Sequence, residues 1–251
     1  MYKLSIIGVI LMLTLILPTS EKSEAQNKMI LPIVRSGFND FNSLINVYNL
    51  FDNDFVIAFS GIPILKHANK VNGEKIVSYF SATEIINNIE NLKNNNISWV
   101  AYDLEKGYSP SNEVNAPIDN IKKVADVLHM NNMKLVLNIA NIPDLKNVVK
   151  EGVKYADMYI MQGQYFQDTS IGGGPDVYAK KVIELAKIIR NSNPNVLIIA
   201  QVSTLKGDLQ NCKESFSKVA DYVDGVTLFF GTSKSELTNI KEFYTWIESN
   251  Y

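Results

Sequence analysis

Two hydrophobic periods alternate along the chain. Short apolar runs rich in β-branched and aromatic residues recur at Met29 to Val34, Phe55 to Ser60, Lys75 to Phe80, Ser98 to Asp103, Lys134 to Ile139, Met158 to Met161, Val196 to Val202 and Val226 to Phe230. Runs this short, bounded by polar turn residues, predict strands. Between them apolar residues return every three or four positions, the period of one helix face. This pattern joins Ile85, Ile86, Ile89 and Leu92; Ile118, Ile121, Val124, Ala125 and Leu128; and Val182, Ile183, Leu185, Ala186 and Ile189. It returns in Phe216, Val219, Ala220 and Val223, and in Leu237, Ile240, Phe243, Tyr244 and Ile247. Pro175-Asp176 suits a helix start and Asn193-Pro194 a stop. Strands separated by helix-length crossovers pair in parallel, and eight such units close into a barrel. The predicted fold is therefore α/β, a single (β/α)8 TIM-like barrel, with irregularity expected at the second and third units. There Lys75 to Phe80 follows the turn signal Asn72-Gly73 and also reads as loop. A doubly wound open sheet is the alternative.

The fourth run ends in acid. In Trp99-Val100-Ala101-Tyr102-Asp103-Leu104-Glu105 the side chains alternate, so Trp99, Ala101, Asp103 and Glu105 share one face. Burying isolated ionised carboxylates is costly, so that face is expected to open onto a polar cavity at the strand's C-terminal end, where barrel enzymes hold their chemistry. The bland alternative is a strand end already in solvent. Other runs turn polar at the same end: Asn138 shares parity with Val136, Gln162 and Gln164 with Ile160, and Gln201 and Ser203 with Ile199. In a barrel these residues converge on one pocket. Amides both donate and accept hydrogen bonds, as sugar hydroxyls do. Tyr165, Phe166, Tyr108 and Phe230 offer flat apolar faces for sugar rings, although core packing is the commoner fate of any one aromatic.

Composition narrows the setting. The 251 residues suffice for one barrel domain; they are 46% hydrophobic with a formal charge of −2, and the basic residues are scattered, so nucleic acid is not an expected partner. Lys3, the apolar run Leu4 to Leu17, Pro18 and Ser23-Glu24-Ala25 together read as an export signal over residues 1–25, with a single domain over 26–251. Retention of this segment as an uncleaved membrane anchor is the alternative. The single cysteine, Cys212, has no internal disulfide partner. The two histidines, His67 and His129, lie in no metal-ligand motif, and no metal or cofactor is expected. Ile171-Gly172-Gly173-Gly174-Pro175-Asp176 lacks the phosphate-loop lysine and reads as a flexible loop over the pocket.

Tyr102-Asp103-Leu104-Glu105 resembles the end of the Asp-x-x-Asp-x-Asp-x-Glu motif of family 18 glycoside hydrolases, the chitinase-like barrels. Its last two acids match, whereas Ser98 and Ala101 stand where the family has aspartates. Met161-Gln162-Gly163-Gln164 corresponds to the family's Met-x-Tyr-Asp. The resemblance implies that Glu105 protonates the leaving oxygen and that Asp103 is its partner, with no assigned tyrosine. More loosely, the mature chain is similar to secreted glycosidase-like barrels with a Tyr-Asp-x-Glu strand end followed by a Ser/Thr-Pro-x-x-Glu loop, here Ser109-Pro110-Ser111-Asn112-Glu113.

Glycoside hydrolysis commonly uses one protonated carboxyl and one carboxylate. A neighbouring anion and partial burial favour the protonated form, the role expected of Glu105, with Asp103 as the anion. Strand positions i and i+2 lie about 6.6 Å apart at Cα, so the two carboxyls need not flank a sugar at a retaining enzyme's ~5 Å. Asp168, Glu113 and Glu74 are the more distant alternatives for a second carboxylate. The expected partner is an oligo- or polysaccharide. Glu105 and Asp103 are the candidate catalytic residues, and Asn138, Gln162, Gln164, Tyr165, Gln201 and Phe230 the candidate substrate-binding residues. A barrel that binds glycan without cleaving it is the main rival, and another hydrolase or lyase the third reading.

Overall fold

A computed structural model describes residues 31–36, 55–59, 74–230 and 234–251. The candidate export segment, residues 1–25, lies outside them. The strands are β1 (Leu31–Ser36), β2 (Phe55–Phe59), β3 (Lys75–Tyr79), β4 (Trp99–Glu105), β5 (Lys134–Ala140), β6 (Met158–Met161), β7 (Leu197–Ser203) and β8 (Gly225–Phe230). Each pairs in parallel with its successor, and β8 pairs with β1. This sequential order excludes the doubly wound sheet, whose strand order reverses at a switch point. From β3 onward the connections are helical: α1 (Ala82–Asn87) and α2 (Ile89–Asn94), α3 (Ser111–Asn115) and α4 (Pro117–Met130), α5 (Leu145–Gly152), α6 (Pro175–Ser192) and α7 (Leu209–Ser217), with α8 (Lys234–Asn250) last. The six strands β3–β8, with these helices against them, form a curled α/β wall.

The wall is apolar on both sides, which is why its strands read as nearly continuous hydrophobic runs. Ile76, Trp99, Ala101, Val136, Met158, Ile160 and Ile199 form one buried cluster on the concave side. Residues of the opposite parity, among them Val77, Val100, Leu135, Leu137, Ile198, Val226 and Leu228, pack against Ile85, Leu92, Ile121, Val124, Leu128, Val182 and Ile189 of the helices. The Lys134 ammonium lies 4.4 Å from the Trp99 ring centroid at the N-terminal end of the wall.

One element departs from expectation. The apolar spacing predicts a helix running from Phe216 through Val223, but α7 ends at Ser217, Ala220–Tyr222 form a 3-10 turn, and Val223 is extended. Among the described residues, no helix is long and apolar enough to cross a membrane.

Candidate active site at the C-terminal ends of the strands

The end of β4 is held by its own loop. Gly107, at φ +99°, takes a left-handed conformation that suits glycine and lets the chain turn back at once. The Tyr108 and Ser109 N–H groups donate to the Glu105 carbonyl at 3.1 and 2.8 Å. The Ser109 hydroxyl receives the Glu105 N–H at 3.0 Å and donates to the Asp103 carbonyl at 3.1 Å. Both acidic residues thus sit on a backbone fixed from two sides. Asp103 is buried at 1% exposure, and Gln162 Nε2 donates to its Oδ1 at 3.2 Å. Glu105 is half-buried.

The loop also explains Glu113, which is 2% exposed. Its carboxylate accepts from the Tyr102 hydroxyl at 2.6 Å, the Ser81 hydroxyl at 2.9 Å and the Ala82 N–H at 2.8 Å. It therefore binds β4 to the start of α1. Burial, followed by the hydrogen bond to Glu113, raises the pKa of Tyr102 well above that of an ordinary phenol. Glu113 is a structural residue here. The other two alternatives are also engaged. Glu74 is exposed before β3 and accepts from Ser98 Oγ at 2.7 Å, at the N-terminal end of the strands. Asp168 caps the turn at Ser170 and pairs with Lys206 at 3.6 Å; the Ser170 hydroxyl is the first cause of its lowered pKa.

Above the concave apolar cluster lies a polar layer. Asp103 is in register with Asn138, and Gln201 with Thr227. Asp103, Asn138, Gln201 and Thr227 are each at most 1% exposed. Asn138 Oδ1 and Thr227 Oγ1 have no hydrogen-bond partner among the described residues. Thr227 escaped the sequence reading, although its parity between Val226 and Leu228 marks it as inward-facing.

Phe230 belongs elsewhere. It is fully buried in the layer between strands and helices, on the face opposite Thr227, because β8 alternates like every other strand. Gln164 is likewise not a strand position: β6 ends at Met161, and Gln164–Gln167 form a 3-10 turn after Gly163. A β-carbon on Gly163 would stand 2.9 Å from Tyr178 Cε2 and 3.0 Å from Val182 Cγ2, so glycine is required for α6 to pack this closely. The glycine-rich loop is no open flap. A β-carbon on Gly173 would lie 2.4 Å from the Phe166 carbonyl oxygen, and the Gly174 N–H donates to that same oxygen at 2.8 Å.

A cleft of about 630 Å³ adjoins Glu105; Asp103, Asn138 and Gln201, expected to share one pocket with it, are not among its lining residues. Glu105, Gln162, Gln164 and Tyr165 line it, with Ile139, Met161, Val182 and Leu185 among its apolar walls. It reaches sideways because β5 and β6 pair only at Val136↔Met158 and Leu137↔Tyr159, leaving their C-terminal ends apart. Tyr165 is 60% exposed and Tyr108 69% exposed. Tyr108 stacks on Phe80 with ring centroids 5.3 Å apart.

No family model matches the chain, and no curated protein matches it. Solved structures do. Active domain 2 of a thermostable chitinase from Pyrococcus furiosus aligns at TM-score 0.60 and 11% identity, over 88% of this chain and 97% of that one. A chitinase from Chromobacterium violaceum gives TM-score 0.54 at 11% identity, over 86% and 99%. The 3-keto-L-gulonate-6-phosphate decarboxylase from Vibrio cholerae gives 0.56 at 12%, over 89% and 99%. These likenesses show the fold. Two chitinases and a decarboxylase share it, so the chemistry must be argued from the residues.

Proposed function

We propose that the chain is an exported, carbohydrate-active (β/α)8 barrel, a glycoside hydrolase in which Glu105 is the general acid and Asp103 the accompanying anion. The observation that carries this reading is the β4 end: two carboxylates of the same parity, one buried beneath an amide and one lining the cleft, on a backbone fixed by Ser109. In this reading the glycosidic oxygen lies against Glu105. Its proton passes to that oxygen as the C–O bond breaks, and the Asp103 charge stabilises the cationic sugar until water adds and returns a proton. Gln162 keeps Asp103 in place, while Asn138, Gln201 and Thr227 offer further hydrogen-bonding groups. Tyr165 and Tyr108 provide faces on which sugar rings stack.

A second reading has its own support. Glu113, Glu74 and Asp168 are all engaged in structural contacts, so none supplies a second catalytic carboxylate. In this reading the barrel, with no carboxylate beyond Asp103 and Glu105, binds glycan without cleaving it. Incubating residues 26–251 with a panel of oligosaccharides, N-acetylated ones included, while following binding and reducing-end release separates the two. Release supports the hydrolase, binding alone supports the second reading, and neither removes both.

A further inference from the structure

Among the described residues, two charged side chains line the cleft beside the strand ends: Glu105 and, from α6, Lys181. Its back is shut, since Tyr159, Met161 and Val182 are 0, 1 and 2% exposed. A ligand therefore meets the rim, where Asn141, Tyr165 and Lys181 are exposed and Leu145 and Leu185 half-buried. The Lys181 ammonium stands 5.8 Å from the Phe166 ring centroid, and Phe166 meets the exposed Tyr165 ring edge to face at 5.8 Å. Phe166 is thus the shared neighbour of the cation and the open aromatic face. Lys181 makes no ion pair among the described residues, and both acids of α6 are engaged elsewhere: Glu184 with Lys146, and Asp176 with Lys218 at 3.0 Å. An ammonium left without a counter-ion at the rim of a cleft draws an anion to it.

We infer that this rim selects an acidic glycan: a hexuronate whose carboxylate pairs with the Lys181 ammonium and whose ring lies on Tyr165. The neighbouring glycine loop argues against a phosphate in its place. The Gly172, Gly173 and Gly174 N–H groups donate to the Thr169, Asp168 and Phe166 carbonyls at 3.2, 3.0 and 2.8 Å, and Pro175 has no N–H, so this loop offers no amide cradle. A lone ammonium is a compact point charge, which matches a single-charged carboxylate. The Tyr165 ring supplies a flat apolar face for the pyranose, and the Asn141 amide a donor and an acceptor for its hydroxyls. Lys181 is then a specificity residue in the same cleft as Glu105. That Glu105 cleaves the bound chain rests on the hydrolase reading; recognition of the carboxylate does not.

The test titrates the folded protein with hexasaccharides of galacturonate, mannuronate and hyaluronan, each beside its methyl ester, which keeps the rings and hydroxyls and loses the charge. At low salt at least one acid form should bind about fivefold more tightly than its ester, the worth of an ion pair partly open to water. The preference should shrink as salt rises. Lys181→Met should erase it, Lys181→Glu reverse it and Lys181→Arg keep it; because Lys181 is exposed, none of these changes removes core packing. Equal affinity of acid and ester in every pair, failure of all six compounds to bind, or a preference that survives Lys181→Met overturns the inference. A preference that Lys181→Met erases, in a protein that releases no reducing ends from any sugar, removes the hydrolase reading alone. Reducing-end release from a neutral oligosaccharide, with acid and ester bound equally, removes this inference alone.

Discussion

Two glutamates flanking one short loop have opposite surroundings. Glu105 lines the cleft, whereas Glu113 is sealed between β4 and the start of α1 with three donors on its carboxylate. Hydrogen bonds to a charged group contribute about 1.5–3 kcal/mol each, and their loss leaves buried groups unpaired. Glu113→Ala should therefore cost on the order of 3–5 kcal/mol in urea unfolding. Tyr102→Phe, which removes one donor and leaves two, should cost about 1.5–3 kcal/mol. If Glu113→Ala unfolds at the same urea concentration as the parent, Glu113 does not hold β4 to α1. The Ser-Pro-x-x-Glu pattern was visible in the sequence, but its role was not. Nothing local shows that Glu113 folds back to the Tyr102 hydroxyl, on the face opposite Asp103; that contact exists only once α1 and β4 are packed.

At the scale of elements, the apolar runs placed β3–β8 because each of these strands is buried on both sides, and β3, doubtful beside Asn72-Gly73, forms with its neighbours. What the runs could not show was where an element stops. Val219 and Val223 keep helical spacing, yet Val219 packs in the core from the turn that precedes the 3-10 element, and Val223 is extended after it. Gln164 keeps strand parity with Ile160, yet Gly163 has already turned the chain toward α6. A recurrence joins two junctions: Tyr155-Ala156-Asp157 and Tyr222-Val223-Asp224 each begin on the last residue of a 3-10 turn and lead into a strand. Asp157 accepts the Leu135 N–H of β5 at 2.8 Å and meets His129 at 2.9 Å. Asp224 accepts the Ile198 N–H of β7 at 2.8 Å and pairs with Arg190, which also donates to the Pro194 and Val196 carbonyls at 3.0 Å each. These clamps lie at the N-terminal ends of the strands, away from the site. Arg190→Met keeps the apolar stem and loses the donors, so it should lower stability by about 1–3 kcal/mol in urea unfolding. An unchanged midpoint would show that Asp224 holds β7 and β8 without it.

The whole molecule buries phenols and a thiol that must stay neutral. Burial, with lesser help from Glu84, pushes Tyr79 up to about 12 from 10.0, and burial pushes Cys212 up to about 12 from 9.0. Tyr102, Tyr159 and Tyr178 shift the same way, chiefly from burial. Folded-state values above unfolded ones mean that the unfolded chain releases protons first, so stability is intact below about 9 and falls as pH rises toward 12. Urea unfolding at pH 8, 9.5 and 11 should show that steady loss, and a midpoint independent of pH would contradict it. The fold tolerates this arrangement because core burial carries a chain with no disulfide. The proposed function rests on assigning the chemistry to Glu105 at the end of β4 and a structural role to Glu113 in α3, and one comparison tests that most directly: reducing-end release and thermal midpoint for Glu105→Gln beside Glu113→Gln. The account predicts that Glu105→Gln keeps the midpoint and loses about 10²–10⁴-fold in release, while Glu113→Gln lowers the midpoint. Release that survives Glu105→Gln undiminished would contradict it.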